Sequence, residues 1–232
     1  MNIHLRGHLL QFDSPRAAPV YDESLGTRVL AGAVLLEVFR LALRGIGRSG
    51  VPLWVMLPLL LVAALAMVRA VGVTFTQIGL RPWRDWTPTE RSYLVQVVII
   101  ANIVFPFMLW ETLQERAAAA GVGTTLATVF VPYLFYGFYQ EVVYRGLVQS
   151  ELVRRYGAGP GIIGANILYT FGPLHYYYFA APLGLAVPMF AAIFAIGLLF
   201  GTLYRLSGNL WIVAIMHTIG NAYMVTAMGS AR

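Results

Sequence analysis

The sequence contains no cysteine and no lysine, and only 11% of its 232 residues are charged. Without cysteine there is no disulfide, no thiolate metal ligand and no thiol nucleophile. A soluble domain carries about 25% charged residues. A chain that is 59% hydrophobic, with a mean hydropathy of +0.70, is therefore excluded from the ordinary soluble class. Aspartate is confined to Asp13, Asp22 and Asp85, outside the long apolar runs, which argues against an intramembrane aspartate pair. No His-Glu-x-x-His occurs, which removes a zincin-like site. The +6 net charge, carried by 16 arginines, is scattered over the connections. A nucleic-acid partner would require a clustered basic face, so none is expected. The polar stretch Met1–Thr27 lacks the apolar core and small-residue cleavage site of a signal peptide.

Apolar runs dominate what is present. A membrane-spanning helix needs about 20 mostly apolar residues. Runs of that kind lie at 51–70, 93–113, 124–146, 161–178, 184–204 and 209–228. Residues 28–47 are a less regular seventh: Glu37, Arg40 and Arg44 fall at i, i+3 and i+7 and share one helical face. Both an interfacial amphipathic helix and a span stay open there. The expected fold is all-α, a polytopic membrane helical bundle of six to seven spans, with the lipid bilayer as a partner.

Within the 71–92 connection, Thr87 or Thr89 is placed to cap the next helix, with Glu90 in its first turn. Trp83 and Trp86 suit the headgroup layer. Arg69, Arg81, Arg84, Arg91, Arg154, Arg155 and Arg205 fall on one side, with Arg154 and Arg155 assigned to a 147–160 loop and Arg205 to the end of a span. By the positive-inside rule that side is cytoplasmic, which gives a multi-pass protein of the cell (inner) membrane. Gly197 and Gly201 form a GxxxG pattern expected to mark a close helix contact within the chain. Nothing in the sequence fixes an oligomeric state.

Ionisable groups inside lipid are costly, about 2.5–3.5 kcal/mol each on insertion scales, so they are rarely idle. Three polar segments interrupt the apolar runs. In the first, Glu141 and Arg145 share a face one turn apart. They read either as a buried ion pair or as a carboxylate that activates water, since arginine lowers and desolvation raises a carboxylate's affinity for protons. In the second, His175 follows Gly172-Pro173, which loosens the helix, and precedes three tyrosines. In the third, His217 and Asn221 share a face, so Asn221 is placed to fix the imidazole or to donate to an oxyanion. Together the three read as one buried functional site. Gly47-Arg48-Ser49-Gly50 resembles a serine-peptidase motif but sits beside an arginine, far from both histidines, and is read as a chance match.

In this order the segments resemble the CAAX protease and bacteriocin-processing (CPBP, or Abi) family of intramembrane endopeptidases. That family carries Glu-Glu-x-x-x-Arg, Phe-x-x-x-His and His-x-x-x-Asn. Here the second motif is Phe171 to His175 and the third His217 to Asn221, both intact. The first reads Gln140-Glu141 to Arg145, with glutamine in place of the first glutamate. The resemblance covers a CPBP-like catalytic core over 124–228, which leaves an N-terminal tail and amphipathic or first membrane helix over 1–50 and accessory membrane helices over 51–123. It implies metal-independent hydrolysis of a membrane-associated protein or peptide, without a cofactor. Glu141 with His175 would activate water, His217 with Asn221 would hold the oxyanion, and Gln140, Arg145 and Phe171 would support them. Glutamine orients water but cannot take its proton, so three outcomes stay open. Glu141 is the base, or His175 is, or the chain binds without cutting. A His/Glu metal-binding membrane protein, with Glu141, His175 and His217 as ligands, is a further alternative.

Overall fold

The computed structural model describes residues 22–47 and 51–228. Most of the polar N-terminal tail and Ser49 lie outside them. Among the described residues the chain is a helical bundle without strands. Its helices are α1 (Gly26–Gly47), α2 (Leu53–Ala70), α3 (Pro88–Met108), α4 (Trp110–Ala120), α5 (Val122–Tyr156), α6 (Ala158–Phe171), α7 (Leu183–Ser207) and α8 (Leu210–Met228). Five of them, α2, α3, α5, α7 and α8, are long and apolar enough to cross a membrane. This is the expected all-α membrane bundle.

Local chemistry explains the boundaries. Thr87 and Glu90 form a reciprocal capping box at the start of α3, and Asn209 adds a bond to the outer oxygen of Glu90 at 3.2 Å. The 71–87 connection is tied to the α7–α8 corner by Leu210 N–H to the Gly79 carbonyl (2.9 Å) and by the Tyr204 hydroxyl to the Ile78 carbonyl (3.1 Å). Of the two tryptophans expected in the headgroup layer, Trp83 is exposed, whereas Trp86 is buried against Trp83 and donates to the Arg81 carbonyl.

Two expected boundaries are corrected. The run 161–178 is not one helix: α6 ends at Phe171, because Pro173 lacks an N–H and forces Gly172 into an extended conformation. His175 therefore sits in an irregular connection, 172–182, outside the helices long enough to span. The expected 147–160 loop is mostly helix. α5 continues to Tyr156, where Glu151 binds both Arg154 and Arg155, and only Gly157 breaks the chain.

The α1 helix, over which an interfacial helix and a span both stayed open, is not among the helices long and apolar enough to cross a membrane, and its burial is unexpected. Its charged face points inward: Glu37 and Arg40 are buried, while Val34, Leu35 and Val38 are exposed. The helix presents hydrocarbon outward and hides its ion pair in the bundle.

Candidate active site

The centre of the bundle is the crossing of α5 and α8. Gly137 makes it close, since a Cβ there would lie 2.9 Å from the Thr218 Cα. One turn further along α5 stands Glu141, and beside Thr218 stands His217. Their approach follows from that backbone contact: Glu141 Oε1 lies 2.6 Å from His217 Nδ1. Over Val142–Gln149 α5 winds as a π-helix, a form that recurs at functional sites.

Arg145 meets the other carboxylate oxygen, Nε to Oε2 at 3.4 Å. That is an ion pair by distance, yet Oε2 receives no hydrogen bond among the described residues. The Arg145 fork is directed elsewhere: Nη2 donates to the Gly197 carbonyl at 3.1 Å, and the guanidinium lies 4.3 Å from the centre of the Tyr169 ring. One turn on, Gln149 Nε2 donates to the Gly201 carbonyl at 2.8 Å. The GxxxG pattern of α7 thus marks the close intramolecular contact expected of it. A Cβ at Gly197 would overlap the Asn166 amide, and one at Gly201 would lie 2.8 Å from Gln149 Oε1.

Tyr169, absent from the motif reading, links the two imidazoles. Its backbone carbonyl lies 2.9 Å from His175 Nδ1, and its hydroxyl 3.4 Å from His217 Nε2. Its ring stands 5.2 Å from the His175 ring and 6.1 Å from the His217 ring, centre to centre. The partners fix the tautomers. A carbonyl only accepts, so His175 carries its proton on Nδ1 and leaves Nε2 as an acceptor. A carboxylate behind Nδ1 does the same for His217. Burial pushes the His175 imidazole down to about 4, with the neighbouring positive groups acting in the same direction, so it is neutral at pH 7.

The remaining motif residues divide. Asn221 is half-buried one turn beyond His217, without a side-chain hydrogen bond among the described residues. Gln140 is buried, and its Oε1 has no partner among the described residues. Phe171 points away from the cluster and packs on Phe190 and Phe194. Among the described residues no three His, Asp or Glu side chains are grouped as a metal site, so the three-ligand alternative lacks its geometry.

The model of the type II CAAX prenyl endopeptidase Rce1-like family matches residues 122–223. The matched stretch, a little under half of the chain, is similar to that family. The Rce1-like segment holds every residue of the cluster, and the match bears out the CPBP resemblance read from the three motifs. No curated protein and no solved structure gives a significant match to the chain.

Proposed function

We propose that the chain is an intramembrane endopeptidase of the cell membrane that hydrolyses a peptide bond of a membrane-associated protein without a resident metal. The observation that carries this reading is the Glu141–His217 contact, a carboxylate bonded to an imidazole inside an apolar bundle. Glu141 is fully buried, with one oxygen on His217 and the other facing Arg145, so it acts through His217 rather than on water directly. This departs from the motif-based expectation, which gave the water to Glu141 and His175.

A carboxylate behind Nδ1 orients the imidazole and stabilises the imidazolium that forms when Nε2 takes a proton. His217 Nε2 therefore accepts the proton of the attacking water as its oxygen adds to the scissile carbonyl. His175, which takes a second proton only near pH 4, is a poor proton acceptor at neutral pH, and its Nε2 orients the water instead. The Tyr169 hydroxyl and the Asn221 amide are the donors for the tetrahedral oxyanion, a contribution of about 3–4 kcal/mol for a well-placed donor. When the C–N bond breaks, the His217 imidazolium returns its proton to the leaving amine.

Peptide mass spectrometry of membranes from cells expressing the wild type or His217→Ala tests the reading. Cleavage products present only with the wild type are expected; identical peptide sets contradict it. A second reading, binding without cutting, draws on Gln140 in the place of a glutamate. It predicts a silent wild type that gains cleavage on Gln140→Glu.

A further inference from the structure

The α1 helix lies outside the matched Rce1-like segment, yet it reaches both halves of the site. Arg40 chelates one oxygen of Glu37, Nε at 3.0 Å and Nη2 at 2.8 Å. The same Nη2 donates to the Pro173 carbonyl at 2.8 Å. The other Glu37 oxygen accepts from the Tyr139 hydroxyl at 3.1 Å, with the Leu36 carbonyl 3.2 Å from that hydroxyl. Tyr139 immediately precedes Gln140 and Glu141, and Pro173 lies two residues before His175. One buried ion pair therefore joins the connection that carries His175 to the helix that carries Glu141.

We propose that the Glu37–Arg40 pair is a positioning clasp that sets His175 against the Glu141–His217 dyad, so that α1 completes the active site. After the break at Gly172-Pro173, the His175 segment leaves the α-helical ladder and forms only a short 3-10 helix, Tyr176–Ala180. Its local backbone bonds are turn bonds, His175 N–H to the Gly172 carbonyl (3.3 Å) and Tyr178 N–H to the His175 carbonyl (3.0 Å). Such a segment needs outside partners to hold one position: the Tyr169 carbonyl holds the imidazole, and the Arg40 fork holds the backbone at Pro173. Stability alone does not account for the pair, because buried ion pairs are commonly replaced by apolar side chains without loss. Direction accounts for it. A planar guanidinium grips a carboxylate and reaches a carbonyl at once, whereas an ammonium is a point charge without that fork. The catalytic part of this role rests on the hydrolase reading; the positioning part does not.

The test uses the full chain in lipid vesicles, comparing wild type, Arg40→Lys and Arg40→Met. Turnover of a membrane-tethered peptide reporter, hydrogen exchange and the thermal midpoint are measured on each. Arg40→Lys is expected to keep the wild-type midpoint and KM while kcat falls about 10²-fold, the scale of a small misplacement of a catalytic group. Exchange should accelerate over 172–178 and stay unchanged over 210–228, with Arg40→Met shifting both readouts further. Wild-type kcat and wild-type exchange in Arg40→Lys overturn the clasp. So does exchange that rises evenly through the bundle, which makes the pair merely structural. Where the wild type cuts nothing but Arg40→Lys still loosens 172–178 alone, the clasp stands and the hydrolase reading falls.

Discussion

His175 and His217 are wired alike and backed differently. Each gives Nδ1–H to a fixed acceptor and presents Nε2, but one acceptor is a backbone carbonyl and the other a carboxylate. In the proposed mechanism the proton goes to His217, whose replacement by alanine should lower kcat by about 10²–10⁴-fold, the usual range for a general base. Tyr169→Phe removes one proposed oxyanion donor and should lower kcat by about 10²-fold with little change in KM, read from steady-state kinetics. His175 also makes stability depend on pH. Its imidazole titrates near 6.5 when unfolded and at about 4 when folded, so the unfolded chain takes up the proton first. The stability it contributes is complete above about pH 6.5 and is lost as pH falls from there towards 4. Denaturation midpoints across that window should slope less steeply in His175→Gln than in the wild type. That Glu141, His175 and His217 come together was legible in the sequence because polar side chains stand out in apolar runs; Asn221, read with them, makes no side-chain hydrogen bond among the described residues. Tyr169 was not, since it is one of 13 tyrosines and its role arises only where α6 passes between the imidazoles. Phe171 was legible as a motif position, but its ring turns to Phe190 and Phe194.

Among the elements, α5 does the most to assemble the site, and two glycines govern how closely its neighbours approach. Gly137→Val drives a branched side chain into the Thr218 backbone and separates Glu141 from His217, so activity should drop about 10²-fold while the helix content seen by circular dichroism is kept. Gly197→Leu collides with Asn166 and Tyr169, and overpacking of this kind costs about 1–3 kcal/mol, measurable as a lower thermal midpoint. Five of the six runs expected to span are helices long and apolar enough to do so, whereas 161–178 is not, and hydropathy did not give the ends. Hydropathy reads Gln149, Glu151, Arg154 and Arg155 as a polar loop. In the bundle Gln149 is satisfied by the Gly201 carbonyl and Glu151 by the two arginines, so the helix runs on through them. The end of α6 was hidden for the opposite reason, because the apolar run continues past the proline that stops the helix.

Across the whole molecule, charges and hydrocarbon are arranged inside out relative to a soluble protein. The face of α1 shows this best: the sequence placed Glu37, Arg40 and Arg44 on one stripe but carried no information on whether water or protein would meet it. The fold answers with Tyr139 and Pro173. Since the chain has no cysteine, single cysteines report the lipid boundary cleanly. Cysteines at Val34, Val62 and Ile103, each about 60% exposed, should resist a water-soluble maleimide in open membrane fragments, whereas one at Glu23 should react. Equal labelling at all four positions would contradict the membrane arrangement. The most direct test of the central claim is turnover of a membrane-tethered peptide by the purified protein in lipid vesicles with a metal chelator present. The wild type should cut it, and His217→Ala should be slower by at least about 10²-fold. A wild type that leaves the peptide intact, or a His217→Ala variant that cuts at the wild-type rate, would contradict the account.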